Sequence, residues 1–98
     1  MFGYAVREGL IDPRKSVQLG IRTTFVGETT MGFRIVYADE VHDSSSDQLA
    51  AIIRKQVGKS KAYLTFDIDC LDPSVAPGTG TPIAGGLSYH QAASVIRK

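Results

Sequence analysis

An apolar run that ends in two closely spaced aspartates dominates the middle of this 98-residue chain. Residues 61–66, KAYLTF, are rich in aliphatic, aromatic and β-branched side chains, which is typical of a buried strand. Asp67 and Asp69 follow this run directly. Because side chains alternate along a strand, both carboxylates would lie on one face at its end, with Cα atoms roughly 6.5 Å apart. Two unpaired carboxylates there would repel each other, so the pattern predicts a metal ion that both bind.

The segment after the aspartates predicts a long irregular loop. Pro73 disfavours helical backbone at Asp72 and has no backbone N–H to donate. Prolines and glycines continue for about fourteen residues, a length that is typical of a functional loop. Gly78 and Gly80 would let the backbone approach a ligand closely, and the Thr81 hydroxyl would form a hydrogen bond. Open α/β sheets place their active sites in loops at the carboxyl ends of strands.

Residues 66–88, FDIDCLDPSVAPGTGTPIAGGLS, closely resemble the third metal-binding signature of the ureohydrolases, the family of arginases and agmatinases. The family pattern is S/T-x-D-x-D-x-x-D-P, then A-P-G/A-T-G-T-P and a Gly-Gly pair, and the chain meets every fixed position from Thr65 onward. The P-G-T-G-T-P form, with E-G-L-I-D-P near the start and L-G-I-R after it, resembles bacterial agmatinases more than arginases.

This resemblance implies an α/β chain, part of a three-layer α/β/α ureohydrolase fold with a mostly parallel sheet. Residues 1–98 would form a partial ureohydrolase domain, truncated at both ends, from the central to C-terminal part of the enzyme. Such a stretch is roughly a third of the complete enzyme. Its first fifteen residues would be a short helix or a loop, and Met1 would be an internal methionine or a truncated start.

The resemblance also implies a dinuclear manganese site. Asp67 would bridge two Mn²⁺ ions and Asp69 would chelate one of them. Carboxylate oxygens are hard ligands that suit Mn²⁺ or Mg²⁺. A hydroxide between the two ions would attack the guanidinium carbon of a linear substrate. The implied reaction is hydrolysis of agmatine to putrescine and urea, a step of polyamine biosynthesis, with guanidinobutyrate or another ureohydrolase substrate as the alternative.

The family pattern assigns further roles within the loop. Thr81 resembles a threonine near the guanidinium group, so it would contact the substrate or support a metal ligand. Asp72 and Pro73 would be structural, as would Gly78 and Gly80, and no catalytic residue is expected beyond the metal ligands. The implied partners are a small guanidino substrate and further copies of the complete enzyme, which would be a homotrimer or homohexamer.

The family draws its other metal ligands from G-G-D-H and D-A-H-x-D segments, which this sequence lacks, so the chain alone is expected to be inactive. Two other interpretations remain open. The first is a degenerate, non-catalytic ureohydrolase-like domain. A haloacid-dehalogenase-like phosphatase also begins with a strand and D-x-D. That class requires Thr or Val two residues after the second aspartate, where this chain has Leu71, so it is disfavoured.

Alternation and capping patterns predict the remaining elements. Residues 16–21 and 33–37 are expected to be strands. A helix begins at a capping box of Ser45 with Gln48 and ends at Gly58, and would form a βαβ crossover with the strand at 61–66. A second capping box, Ser88 with Gln91, opens a last helix. The apolar residues expected to face inward on that helix are Ala92, Val95 and Ile96.

Three polar features outside the signature have weaker interpretations. Arg22, just past the first strand, would orient a carboxylate or form a structural salt bridge or a subunit contact. The acidic stretch from Ala38 to Asp43 around His42 suggests a second metal site, but a polar approach to the following helix is favoured. His90, in the first turn of the last helix, is expected to be a solvated surface residue.

Composition excludes several classes of partner. A formal net charge of +1 gives no reason to expect nucleic acid or an acidic membrane. No stretch approaches the ~18 apolar residues of a membrane span. Cys70 is the only cysteine and cannot form an internal disulfide, so it is expected to be a small buried hydrophobe. The expected protein is soluble and cytoplasmic.

Overall fold

The computed structural model describes residues 2–23 and 31–98. The predicted connection from Phe25 to Met31 lies, apart from Met31, outside the described residues. Among the described residues the chain forms four helices, two strands and two 3₁₀ turns, at Pro13–Lys15 and Ile68–Cys70. The helices and strands in chain order are α1 (Phe2–Arg7), β1 (Val17–Ile21), β2 (Arg34–Tyr37), α2 (Ala38–His42), α3 (Ser46–Val57) and α4 (Tyr89–Arg97). None of the described helices is long and apolar enough to cross a bilayer.

Two of the three predicted strands, β1 and β2, form and pair in parallel, which agrees with the predicted α/β class. Val17 lies opposite Arg34 and Leu19 lies opposite Val36, with an irregularity between Leu19 and Ile21. Gly20 occupies that irregularity at φ +86°, and a Cβ there would lie 3.0 Å from a methyl carbon of Leu87. The irregular end of β1 therefore lies directly against the segment that precedes α4.

Both predicted capping boxes are formed, and they fix where α3 and α4 begin. The hydroxyl of Ser45 accepts from the backbone N–H of Gln48 at 3.1 Å, while the Gln48 side chain accepts from the Ser45 N–H at 2.7 Å. Ser88 and Gln91 repeat the arrangement at 3.1 and 2.9 Å. Gly58, at φ +64°, ends α3 as predicted.

The acidic stretch before α3 was predicted as a polar approach, and this is wrong, because it forms the short helix α2. Ala38 and Val41, three residues apart, are both buried. Residues at that spacing share one face of a helix, so a single turn is enough to bury them together. The helix is too short and has too few apolar residues to show a helical periodicity in the sequence.

A small core joins both strands to α2, α3 and α4. Its members are apolar and buried: Val36, Val41, Leu49, Leu71, Leu87 and Ala92. Val95 packs against this core, as predicted for α4, but Ile96 is 55% exposed and the inward position predicted for it is wrong. Leu71 and Leu87 lie at the two ends of the irregular segment 71–87, called here the signature loop. Both ends of the signature loop are thus anchored in the core.

The predicted strand over residues 61–66 is not formed. Lys61 to Asp67 has no regular secondary structure, and Tyr63, Leu64 and Phe66 are 91%, 73% and 49% exposed. A strand needs a hydrogen-bonded neighbour, and β1 and β2 pair only with each other in the described part of the chain. The βαβ crossover through α3 is therefore not completed there.

A pair of backbone hydrogen bonds closes the signature loop. The N–H of Asp72 donates to the carbonyl of Leu87 at 2.9 Å, and the N–H of Leu87 donates to the carbonyl of Cys70 at 3.0 Å. These bonds form a parallel bridge between Leu71 and Leu87. A Cβ at Gly86 would lie 2.5 Å from the Asp72 nitrogen, so only glycine permits this approach.

The Asp72 carboxylate closes the loop a second time. One oxygen accepts from the N–H and the hydroxyl of Ser74, at 3.0 and 2.7 Å. The other oxygen accepts from the N–H groups of Gly85 and Gly86, at 3.0 and 3.1 Å. The bonds from Ser74, and then those from Gly85 and Gly86, outweigh desolvation and lower the pKa of Asp72 to about 2.

Replacement of Gly86 by alanine is expected to destabilise the protein by about 2–3 kcal/mol, because the added methyl would overlap the backbone of Asp72. The matched control is Gly78→Ala in the same loop. A Cβ at Gly78 meets nothing within 4 Å, so this variant should stay within about 0.5 kcal/mol of wild type. Urea unfolding of the intact protein measures both. Equal effects of the two variants would contradict the close approach at Gly86.

The Asp72 carboxylate is expected to give the protein an acid-sensitive stability. Because the pKa of Asp72 is lower in the folded state than the ordinary value of 3.8, its contribution is present above pH 4. That contribution is lost as the pH falls through about 2. Asp72→Asn should therefore lower the urea midpoint at pH 7, and its difference from wild type should shrink at pH 3.

The control for this experiment is Asp43→Asn, which changes an exposed aspartate outside the loop and should leave the midpoint at pH 7 unchanged. An Asp72→Asn deficit of the same size at pH 7 and pH 3 would contradict the role of the ionised carboxylate.

Candidate metal site

The two signature aspartates lie at a turn rather than on a strand. Asp67 has extended backbone, at φ −94° and ψ 126°, and precedes the 3₁₀ turn that contains Asp69. The prediction that both carboxylates share one face through strand alternation is therefore wrong. Strand geometry fails here because the segment has no strand beside it, and the chain tightens into a turn immediately after Asp67.

The two carboxylates differ in how they are held. Oδ2 of Asp69 accepts a hydrogen bond from the Thr81 hydroxyl at 2.8 Å. The Asp67 side chain is exposed, and no described residue donates a hydrogen bond to it or pairs with it. Neither carboxylate forms an ion pair with a cation in the described part of the chain. The hydrogen bond from Thr81 engages Oδ2 of Asp69 and leaves its Oδ1 without a described donor.

The donor set fits a hard metal ion but is incomplete. Two aspartates offer oxygen ligands of the kind that Mn²⁺ and Mg²⁺ prefer. Residues 2–23 and 31–98 contain no group of three or more His, Cys, Asp or Glu side chains close enough to hold a metal. Asp67 and Asp69 would therefore supply only part of a coordination shell of about six ligands.

Thr81 is oriented for its bond to Asp69 by the turn that contains it. Its backbone N–H donates to the hydroxyl oxygen of Thr79 at 3.3 Å. Gly78 and Gly80 flank Thr79, but neither has a positive φ, and a Cβ at either position would meet nothing within 4 Å. Protein packing thus gives no reason for these two glycines, and their predicted role in ligand approach stays a prediction.

Arg22 bonds to backbone carbonyls around the site, and this role was not predicted. Its Nε and Nη2 donate to the carbonyl of Ile83 at 2.9 and 2.6 Å, and Nη2 also donates to the carbonyl of Asp69 at 2.9 Å. Longer bonds of 3.4 Å reach the carbonyls of Leu71 and Gly20. Among the described residues Arg22 pairs with no carboxylate, so the alternative of a structural salt bridge is wrong there, whereas orienting a carboxylate and a subunit contact stay predictions. Its position after β1, in the L-G-I-R motif, was the available signal.

The histidines lie away from the aspartates. Nε2 of His42 is 2.9 Å from the carbonyl of Gly85, and its Nδ1 is 3.3 Å from the side-chain nitrogen of Gln91. His90 is exposed, as predicted, and lies 3.4 Å from the hydroxyl of Ser94. The acidic stretch around His42 forms no metal-binding cluster with other described residues.

Cys70 follows Asp69 but faces the core. Its side chain is partly buried and packs against the core cluster. Burial, and then the nearby Asp69 carboxylate, raises the pKa of its thiol above the ordinary value of 9.0. A protonated thiol is a poor metal ligand and a poor nucleophile, so Cys70 acts as a packing residue.

Comparison with known sequences places the chain among agmatinases and arginases. A protein-family model described as the arginase family matches residues 1–98. The chain is 56% identical to an agmatinase of Chromobacterium violaceum over 97 residues, covering 99% of this chain and 30% of that protein. An agmatinase of Photorhabdus laumondii is 54% identical, and the chain covers 31% of it. The chain thus spans about 30% of the length of the curated relatives it matches.

Solved structures agree with the sequence relatives. A crystal structure of a hypothetical agmatinase from Burkholderia thailandensis matches with a TM-score of 0.92 and 51% identity, over 98% of this chain and 30% of that chain. Proclavaminate amidino hydrolase from Streptomyces clavuligerus matches with a TM-score of 0.89 and 41% identity, over 98% of this chain and 32% of that chain. Arginase from Bacillus caldovelox matches with a TM-score of 0.80 and 30% identity, over 88% of this chain and 31% of that chain. With the family model matched along its entire length, the chain belongs to the arginase family.

Proposed function

We propose that the protein containing this chain is a manganese-dependent ureohydrolase that converts agmatine to putrescine and urea. The observation that carries the proposal is the bond from Thr81 to Asp69, because it orients one carboxylate of an otherwise unpaired pair at the loop. The relatives named agmatinase, at 54–56% identity, support agmatine as the substrate. The same proposal includes a cytoplasmic, homo-oligomeric enzyme, a trimer or hexamer.

Within this proposal, Asp67 and Asp69 bind manganese, and the loop holds Asp69 in place through Thr81. When bound, Mn²⁺ supplies the Lewis acid that activates water for attack on a guanidinium carbon. Thr81 donates to Oδ2 of Asp69, which fixes the carboxylate and leaves the lone pairs of Oδ1 to coordinate the metal. Asp72 stays ionised at neutral pH and fixes the loop without entering the reaction. The remaining ligands come from outside the described residues.

The choice of substrate within the family is the finer part of the proposal. The similar structures carry the names agmatinase, proclavaminate amidino hydrolase and arginase, so hydrolysis at an amidino group is the chemistry that these names share. The P-G-T-G-T-P loop favours a linear guanidino compound without an α-amino acid head. Agmatine is proposed first, and guanidinobutyrate next.

Urea release by the intact protein tests the function. With Mn²⁺ present, kcat/KM should be higher for agmatine than for guanidinobutyrate, and lowest for arginine. Asp67→Asn and Asp69→Asn should each lower kcat/KM by more than about a hundredfold, because each loses an anionic ligand.

Asp43→Asn is the matched control for these two variants and should keep wild-type activity. A tenfold preference for arginine would overturn the agmatine assignment. Absence of urea from all three substrates would favour a degenerate, non-catalytic domain.

Residues 1–98 alone are expected to release no urea and to bind no pair of Mn²⁺ ions tightly. Two carboxylates leave most of the coordination shell of each ion to water, so nothing fixes the distance between the ions. The exposed Tyr63 and Leu64 also make the isolated chain prone to aggregate. Calorimetric titration of residues 1–98 and of the intact protein with Mn²⁺ measures how tightly each binds the metal, and a urea assay of both measures activity. Tight binding of two ions, or urea above the level of Asp67→Asn, would contradict this expectation.

A further inference from the structure

We infer that Arg22 is a positioning residue for the metal site: its guanidinium group sets the place of the Asp69 carboxylate by holding the backbone carbonyls of Asp69 itself and of Ile83. The inference rests on the proposed function, because it takes Asp69 to be a metal ligand. It assigns Arg22 no contact with the metal or with the substrate.

The guanidinium group connects segments that are distant in the sequence. Nη2 donates to the carbonyl of Asp69, 47 residues away along the chain, at 2.9 Å. Nε and Nη2 together donate to the carbonyl of Ile83, 61 residues away, at 2.9 and 2.6 Å. Leu71 is held by a longer bond of 3.4 Å. One side chain therefore ties the aspartate turn to the far side of the signature loop.

These contacts determine the geometry of the Asp69 side chain through Thr81. Thr81 lies two residues before Ile83, and its hydroxyl donates to Oδ2 of Asp69 at 2.8 Å. Arg22 thus holds the backbone of the acceptor residue, Asp69, and the loop segment at Ile83 that carries the donor, Thr81. Loss of Arg22 would free these two segments to separate, and the carboxylate would lose its fixed orientation.

Arginine is suited to this task in a way that lysine is not. Its planar guanidinium carries five N–H donors in a fixed fork, whereas the lysine ammonium is a single point with three donors. Bonds from a charged donor to a carbonyl are stronger than neutral ones. Arg22 directly follows β1, and Gly20 of that strand packs against Leu87, so the core fixes where the guanidinium lies.

The test compares Arg22→Gln with Arg34→Gln in the intact protein. Arg34 is the matched control, because it is also partly buried and bonded, to Glu40 and to the carbonyl of Ile35, but on β2. Mn²⁺ affinity should fall by about tenfold or more in Arg22→Gln, as when a group that orients a metal ligand is removed. Arg34→Gln should keep the wild-type affinity even if it unfolds at lower urea concentration.

Two further measurements separate positioning from a loss of overall stability. The Mn²⁺ electron paramagnetic resonance spectrum should change in Arg22→Gln and not in Arg34→Gln. Arg22→Lys should restore part of the affinity, because it keeps the charge and reaches some of the carbonyls. If Arg22→Gln does not fold, the Mn²⁺ affinity of Arg22→Lys is compared with that of wild type instead. Thr81→Val combined with the Arg22 variant should weaken binding less than the product of the two separate effects, since both act through one carboxylate.

An Arg22 variant with the Mn²⁺ affinity and spectrum of wild type would overturn the inference, as would effects that are fully independent of Thr81→Val. A wild-type protein that binds no Mn²⁺ would overturn the proposed function instead. Amide hydrogen exchange then decides whether Arg22 holds the loop. Exchange at residues 69–71 and 83–86 should accelerate in the Arg22 variant alone, and unchanged exchange would overturn the positioning role as well.

Discussion

The close backbone approach at Gly86 is the constraint on which the candidate site depends. It lets the chain fold back so that the N–H of Asp72 reaches the carbonyl of Leu87. Leu71 and Leu87, at the two ends of the loop, are then both buried in the core. The signature loop between them has no helix or strand of its own, so its shape is set by its two ends. A loop closed in this way loses much of its conformational freedom before any ligand binds.

The charged side chains then decide which parts of the closed loop are rigid. A hydrogen bond to a charged group is stronger than one between neutral groups. Asp72 accepts four bonds, from Ser74, Gly85 and Gly86. Arg22 donates to the carbonyls of Asp69 and Ile83. An anion that gathers N–H groups and a cation that gathers carbonyls therefore hold neighbouring parts of one loop. The hydroxyl of Thr81 bonds to the carboxylate of Asp69.

Local signals predicted the parts of the fold that local physics determines. The Ser45 and Ser88 capping boxes and the Gly58 helix end depend on residues within a few positions, and all are present. The strand at 61–66 depends on a neighbouring strand and is not formed in the described part of the chain, so strand alternation does not set the directions of Asp67 and Asp69. The carbonyl partners of Arg22 were not predicted for the same reason: they lie up to 61 residues away, and every residue has a backbone carbonyl.

The unformed strand and the incomplete candidate metal site have one cause: residues 61–67 have no neighbouring strand in the described part of the chain. Tyr63, Leu64 and Phe66 are exposed here, although burying a side chain of this kind contributes about 1.5–3 kcal/mol. Strands on either side of residues 61–66 would bury them, and the same pairing would set the direction of Asp67 at the strand end. Asp69 needs no such neighbour, because Arg22 and Thr81 already hold it within this chain. In the proposed site, Asp69 is therefore held by residues of this chain, whereas Asp67 has no described partner and would need a neighbouring strand to fix its direction.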